Sequence, residues 1–449
     1  MNPSSPVSLP ALSRRDFVKL SATGTALAAG LTAPRALGAN SGSDRIRVGV
    51  IGSGGRGRGA AQNCLESSPG IEIVALGDLF QAQVDGAEAA IQKFAADKKL
   101  PPQRMQKFSG FDNYERVLAA GIDMVILAAP PGFRPAHFEA AVNAGKHIFC
   151  EKPVAVDPVG VRRFLASVKK SKEKNLAVVC GLQRHHQSSY LAMIKRIQDG
   201  ELGELTGGQC YWNGTEPFFR GRTDKDDKTG QLRWPWLAKV SDFEWQCWNW
   251  YHWDWTSGDH IVEQHIHNID VMNWAFGGPP VKFYGMGGRQ TRGNKPGNIW
   301  DNFAVEFEYA NGARVASQCR HAPKSTQRVN ERIVGTKGWS FTDQPGEAFI
   351  KTHKGELKWK FEGAVPNPYV VEHTDLVASI RKNAPLNEGE MVAYSTLTAI
   401  GGRMSAYTGR ELSWKWLLEG SKLDIFPKTI AAGGGHFPPV PVPGQVELV

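Results

Sequence analysis

The chain has no closely spaced cysteines, no dense Lys/Arg run with interleaved aromatics and no internal repeat. Each absence excludes a class of protein. Cys64, Cys150, Cys180, Cys210, Cys247 and Cys319 are scattered without a CxxC pair, so they read as buried or free thiols and not as a zinc site or a disulfide framework. Export would still permit disulfides, and pairing stays open. The apolar stretch from Leu20 to Ala33 is too short and too rich in Gly, Ala and Thr to span a bilayer, so no stable membrane anchoring is expected. The formal charge of +9 is spread out, and nucleic acid is not the expected partner. What remains is ordinary for a soluble globular protein: 41% hydrophobic, 22% charged, and 449 residues, enough for two domains with their own cores.

The N-terminus reads Ser13-Arg14-Arg15-Asp16-Phe17-Val18-Lys19, then the apolar stretch, then small residues from Ala36 to Ala39. That order looks like a twin-arginine export signal over residues 1–38, with a chance Arg-Arg pair as the alternative. The export machinery is then a partner, and the destination is the periplasm or another exported location. Removing residues 1–38 takes away four basic residues and Asp16, and the formal charge falls from +9 to +6.

Ile46 to Gly59, IRVGVIGSGGRGRG, reads as a strand entering a turn, with Gly52-x-Gly54-x-x-Gly57 at the spacing that brings backbone amides at a helix start to a pyrophosphate. Taken alone, it fits a plain loop equally well. Short apolar runs alternate with amphipathic stretches up to about Cys180, the signature of βαβ units and a parallel sheet. Ile71–Leu76 is the second strand and ends at Gly77-Asp78. A carboxylate there accepts hydrogen bonds from ribose hydroxyls and repels a 2′-phosphate, which favours NAD over NADP; Arg56 and Arg58 soften that preference, and an ordinary helix N-cap is the alternative role for Asp78. Met124–Ala129 reads as a strand buried on both faces. It is followed by Pro130-Pro131, a helix closing at Gly145, the strand His147–Cys150, and Glu151-Lys152-Pro153, which places Lys152 at a carboxyl strand end facing a ligand crevice.

Ala128-Ala129-Pro130-Pro131, His137, Ala144-Gly145-Lys146-His147-Ile148 and Glu151-Lys152-Pro153, following the glycine-rich turn, closely resemble the glucose-fructose oxidoreductase, inositol dehydrogenase and rhizopine-catabolism (Gfo/Idh/MocA) family of sugar and cyclitol dehydrogenases. The resemblance implies that Lys152 lies beside the nicotinamide and the reacting hydroxyl. The implied cofactor-binding set is Gly52, Ser53, Gly54, Gly55, Arg56, Gly57, Asp78, Ala129, Pro130, His137, Glu151 and Lys152.

After Cys180 strand-like runs dominate: Leu205–Asn213, Val281–Gly285, Asn302–Tyr309 and Ala313–Arg320, after one more helix within Gln183–Gly203. Asn311-Gly312 marks a hairpin turn. The expected fold class is therefore α/β: an N-terminal Rossmann doubly wound parallel sheet over residues 45–180 and a C-terminal α+β domain over 181–385 with an open, mainly antiparallel sheet. In relatives a helix such as Asn387–Ser405 packs back on the first domain, giving a 386–430 segment before a Gly/Pro-rich tail over 431–449. The resemblance also implies a homodimer or homotetramer, since open sheets in that family commonly pair across their exposed faces.

Gly258 to Trp274 has apolar residues at helical spacing, so it reads as one amphipathic helix with Glu263 and His267 on a shared face and His260 one turn earlier. His267 falls on the family histidine, whereas Glu263 replaces an aspartate and His265 a glycine. Oxidising a hydroxyl-bearing carbon needs a base, and histidine titrates in the right range. His267 is therefore the candidate base, Lys152 its electrostatic and proton-transfer partner, and Glu263 an orienter or sugar ligand; a structural histidine at the domain seam is the alternative. A metal held by His260, Glu263, His265 and His267 is a further alternative. Seven of the 14 tryptophans lie from Trp234 to Trp255. They suit either sugar-ring faces, with Trp253 a substrate ligand beside His260, or a hydrophobic seam. Arg184, His185 and His186 are weaker candidates for substrate hydroxyls.

The expected function is an exported nicotinamide-dependent oxidoreductase acting on a small-molecule carbohydrate, a sugar, glycoside or cyclitol, with a tightly held NAD, NADP being possible. The rival is a redox-neutral glycosidase, lyase or epimerase working through a transient keto-sugar, as some relatives do. A non-catalytic sugar-binding module is the third reading.

Overall fold

The computed structural model describes residues 45–343, 346–428 and 434–449. The export signal read at residues 1–38 lies outside them, as does the start of the tail at 431–433.

Six strands form the first sheet: β1 (Ile46–Ile51), β2 (Ile71–Asp78), β3 (Gln106–Ser109), β4 (Met124–Leu127), β5 (His147–Cys150) and β6 (Val178–Cys180). All pair in parallel, in the order β3-β2-β1-β4-β5-β6. The central strands are apolar on both faces because helices cover both; every residue of β4 is buried. The carboxyl ends of β1, β2, β4 and β5 meet where the order reverses, the place such sheets bind ligands.

The second sheet comprises β7 (Leu205–Gly214), β8 (Lys282–Gly288), β9 (Asn302–Glu308), β10 (Arg314–His321), β11 (Arg328–Gly335), β12 (Gly338–Asp343), β13 (Ala348–Lys351), β14 (Leu357–Lys360) and β15 (Leu412–Ser413). Its order is β14-β13-β12-β11-β7-β10-β9-β8-β15, and every pair is antiparallel except β7 with β10. Along β8 to β10 buried and exposed residues alternate, so one face carries Phe283, Phe303, Phe307 and Val315 inward while the other shows Tyr284 and Met286. The β9–β10 hairpin turns at Asn311-Gly312, with Gly312 at φ +80°.

Two helices return to the first domain. Leu376 and Val377 of Pro368–Arg381 join the core that holds β1 and β2, so the return starts ahead of residue 386. Helix Gly389–Thr408 is buried along nearly all its length, and Leu386 and Glu388 at its entry hydrogen-bond the backbone of Val178 in β6. The described tail, 434–449, has no helix or strand; it lies along the protein, with Pro441 accepting from the Trp300 indole at 3.1 Å. All six cysteines are buried and unpaired. Among the described residues no helix is long and apolar enough to cross a membrane.

The stretch Gly258–Trp274 is a correction. It forms two helices, His260–Glu263 and Ile266–Phe276, because the ladder breaks at Gln264–His265, where the His265 amide reaches back to the His260 carbonyl; positive φ at Gly258 and Asp259 precedes the start of the first. Likewise Gln183–Gly203 divides into a 3-10 turn, Gln183–His186, and the helix Ser188–Gln198.

Candidate active site

The three glycines of the first turn do different jobs. A Cβ on Gly52 would sit 2.3 Å from the Ala129 nitrogen, and one on Gly57 would sit 1.8 Å from the Gly52 oxygen, so both are fixed by packing. A Cβ on Gly54 or Gly55 would meet nothing within 4 Å. Gly54 caps the helix Gly55–Ser67 without any side-chain hydrogen bond and with no acidic residue in the first turn. The free N–H groups and the positive helix end therefore face an open cradle that suits phosphate.

At the end of β2 the Asp78 carboxylate accepts from the Ser53 amide at 2.8 Å and the Phe80 amide at 3.0 Å. Burial nevertheless pushes it up to about 6. Gly54, Asp78, Ala129, Pro130 and His137 line one crevice. A phosphate cradle beside an acceptor carboxylate is the donor and acceptor set that a dinucleotide needs, so the residues fit NAD. Because a ribose diol is bound best by ionised Asp78, affinity for NAD is expected to weaken as pH falls through about 6, by at most about tenfold per pH unit. Titration calorimetry of wild type against Asp78→Asn checks this: the variant's affinity should be flat across that range, and an equally steep fall in the variant would refute the assignment.

Ser53 is fully buried and fastens the turn, its hydroxyl donating to the Gly77 carbonyl at 3.1 Å. Arg56 lines the crevice and is also tied into the protein. Its guanidinium pairs with Glu151, reaches Glu372 at 3.1 Å and lies over the Tyr369 ring. Arg56 and Glu151 thus tie the turn to the end of β5 and to the returning helix Pro368–Arg381.

The crevice runs on to Tyr251. Beyond it Lys152, from the end of β5, donates to the Glu263 carbonyl at 2.5 Å and to the Glu263 carboxylate at 2.9 Å. Both side chains are largely buried, and the second carboxylate oxygen of Glu263 has no partner. Nδ1 of His267, the second residue of the next helix, has none either, while the ring lies nearly parallel to Trp212. Burial holds the His267 imidazolium well below its ordinary range, and the positive charges of Lys152, Arg184 and Arg56 add to that. His267 is therefore a neutral imidazole at physiological pH. Tyr251 escaped the sequence reading because its period was lost among tryptophans; burial raises its phenol well above its usual range, and the neighbouring Glu263 charge adds to this.

The remaining candidates lie elsewhere. Arg184 is buried in an ion pair with Glu331. His185 bonds Asp270 at 2.7 Å and stacks on Trp274, and His186 bonds Asp375 at 2.6 Å. His260 is turned onto Asp259, the cap of its own short helix, at 2.8 Å. Trp253 packs between Trp245 and Phe437 and is 1% exposed. These side chains are spent on the protein's own interior, not on the crevice. The four residues of the metal alternative also part company, since His265 reaches Ser317 at 2.8 Å; among the described residues no three His, Cys, Asp or Glu side chains converge on a metal position.

Comparison with known proteins agrees with this geometry. The family described as "Oxidoreductase family, NAD-binding Rossmann fold" matches residues 46–180, and the GFO/IDH/MocA C-terminal domain matches residues 229–340. The chain belongs to the Gfo/Idh/MocA family. An inositol 2-dehydrogenase of Klebsiella pneumoniae is 30% identical over 161 residues, 35% of this chain and 43% of that enzyme, so the match spans less than half of its length. An inositol 2-dehydrogenase/D-chiro-inositol 3-dehydrogenase of Lactiplantibacillus plantarum is 24% identical over 86% of this chain and 95% of its own. The scyllo-inositol dehydrogenase of Lactobacillus casei, solved with NAD(H) and scyllo-inositol, shares the fold at a TM-score of 0.61 and 19% identity over 82% of this chain and 99% of its own. Residues 46–180 of this Gfo/Idh/MocA protein are accordingly an NAD-binding Rossmann domain.

Proposed function

We propose that the chain is an NAD-dependent oxidoreductase acting on a CH–OH carbon of a sugar, glycoside or cyclitol, exported with its cofactor held tightly. The observation that carries this reading is the crevice that joins the open Gly54 cradle and Asp78 to Tyr251, whose neighbour Glu263 pairs with Lys152 one turn before His267. The Gly54 cradle and Asp78 would hold NAD, which would supply a two-electron hydride acceptor there, and the hydroxyl proton must then go to the protein. His267, neutral, takes that proton. Lys152 stabilises the negative charge that develops on the oxygen, in a site dry enough for a single ammonium to matter. Glu263 holds Lys152 in place and keeps one oxygen for a neighbouring hydroxyl of the substrate. The inositol and sugar substrates named for relatives are rich in adjacent hydroxyls, which suits that free acceptor.

His267→Ala is expected to lower kcat by about 10²–10⁴-fold. His265→Ala, altering a residue turned to the sheet, is the control that separates loss of the base from damage to the helix. Equal activity of His267→Ala and wild type on an oxidised substrate would refute the assignment.

One observation favours a redox-neutral outcome as the second reading: the crevice is walled by the second domain as well as the first, with Tyr251, Trp250 and Trp248 facing Asp78 and Pro130. A cofactor enclosed this way is better regenerated in place than exchanged each turnover. A panel of glycosides and cyclitols, followed for NADH absorbance and for released aglycone together, separates the two. NADH accumulating with a cyclitol or free sugar supports the dehydrogenase; aglycone release or an epimerised product without net NADH supports the cycle; an unchanged panel, with cofactor bound, contradicts both.

A further inference from the structure

The segment joining β7 to the helix His260–Glu263 does not stay on its own sheet. It crosses to the first domain, where Trp248 meets Phe80 edge-on at 4.8 Å and Phe243 meets Phe111 at 5.6 Å. Phe80 directly follows the Asp78-Leu79 end of β2, so these contacts fall on the adenosine side of the crevice.

Two side chains of this segment are left with unused binding capacity. Arg220 lines the crevice, and its guanidinium rests on Phe218, Trp234 and Trp248 at 4.7, 5.1 and 5.2 Å. Among the described residues it has no carboxylate within ion-pair distance, unlike Arg222 two residues on, which pairs with Asp242 at 2.6 Å. A partly desolvated cation without a counter-ion, stacked on aromatics at the edge of a phosphate cradle, is an anion ligand waiting for its anion. Trp248, in the same wall, has a buried indole N–H with no acceptor. A buried donor left unmade costs free energy unless a ligand supplies the acceptor.

The segment is fastened in this position. The Arg220 amide donates to Asn249 Oδ1 at 2.8 Å, and its carbonyl accepts from the Trp245 indole at 2.9 Å. Gln246 is gripped by the tail through both backbone groups of His436, at 2.5 and 2.8 Å.

We propose that Arg220 and Trp248 are cofactor ligands contributed by the second domain, closing over the adenosine-phosphate half of the dinucleotide so that it is retained between turnovers. The inference rests on the reading of the crevice as a nicotinamide-dinucleotide site. It assigns the retention to two named side chains and not to the Rossmann turn. The cation answers the pyrophosphate charge, and the indole donates to a phosphate or ribose oxygen.

The test uses the full chain loaded with NADH and mixed with excess NAD, with release followed by the loss of energy transfer from tryptophan to bound NADH. Arg220→Gln leaves the backbone anchors in place, and Trp248→Phe keeps an aromatic edge against Phe80 while removing the N–H. Each is expected to release NADH about tenfold faster than wild type, in line with one cation–π or charge-assisted contact. The cofactor-free variants should melt with wild type. Release at the wild-type rate from both variants overturns the proposal while leaving the dinucleotide site intact. A wild-type chain that takes up no nicotinamide dinucleotide, by native mass spectrometry, overturns the functional reading and the proposal with it.

Discussion

Lys152→Ala is expected to abolish turnover, lowering kcat by about 10³-fold, while the protein still carries its cofactor. Lys152 is the only cation paired to Glu263 among the described residues. Its removal takes away the charge that stabilises the developing alkoxide, and it also leaves a largely buried carboxylate uncompensated. The second effect costs stability, of order 3–5 kcal/mol if Glu263 stays ionised and less if it takes up a proton. The cradle at Gly54 and the Asp78 carboxylate make no contact with Lys152, so native mass spectrometry should find NAD on the variant. Activity within tenfold of wild type would remove Lys152 from the chemistry. Loss of both activity and NAD would show that the variant's fold, not its catalytic group, had failed.

Arg184→Met is expected to fail in a different way, by unfolding early. Arg184 and Glu331 are 1% and 0% exposed, and Glu331 also accepts from the Tyr190 hydroxyl at 3.0 Å and the Thr342 hydroxyl at 2.8 Å. Burial raises the Glu331 carboxyl above its ordinary range even beside the guanidinium. Without Arg184 the carboxylate has no counter-charge, and the cost is about 3–5 kcal/mol. That is a large part of the 5–15 kcal/mol or so by which domains are stable. Thermal unfolding should show a markedly lower Tm, and Arg184→Met combined with Glu331→Met should recover most of it, because a buried pair replaced by apolar groups is close to neutral. A substrate ligand would behave otherwise: KM would rise at unchanged Tm, and the double variant would rescue nothing.

Those two outcomes also mark how far the sequence could be read. The Rossmann half was legible because its signals are local. The run Met124–Leu127 is apolar on every residue since both faces of β4 are covered, and Glu151-Lys152-Pro153 follows directly on β5. Gly52 and Gly57 are glycines for a reason that adjacent backbone enforces. Arg184 was misread because its partner lies 147 residues away, on a strand whose pairing no local pattern reveals. His260 was misplaced because periodicity reports the apolar face of a helix and not where it starts: His260 is the first residue after the Asp259 cap, and its imidazole bonds that carboxylate. The tryptophan-rich stretch carried neither period, since its order comes from packing against Phe80, Phe111 and Phe133 of the other domain. Arg56 does line the crevice, but its two carboxylate partners come from distant elements that no local pattern reveals.

The central claim is that hydrogen passes from a CH–OH carbon to a nicotinamide held between Gly54, Asp78 and Lys152. The most direct measurement is a single turnover of the NAD-loaded chain with cyclitols and sugars carrying deuterium on their hydroxyl-bearing carbons, with the cofactor then released and weighed by mass spectrometry. The account predicts one deuterium on the nicotinamide with at least one of them, persisting after the turnover for a dehydrogenase and, for a redox-neutral cycle, caught by quenching before the deuteride returns to the substrate within that same turnover. A cofactor that stays unlabelled while the substrate is bound or converted would contradict it.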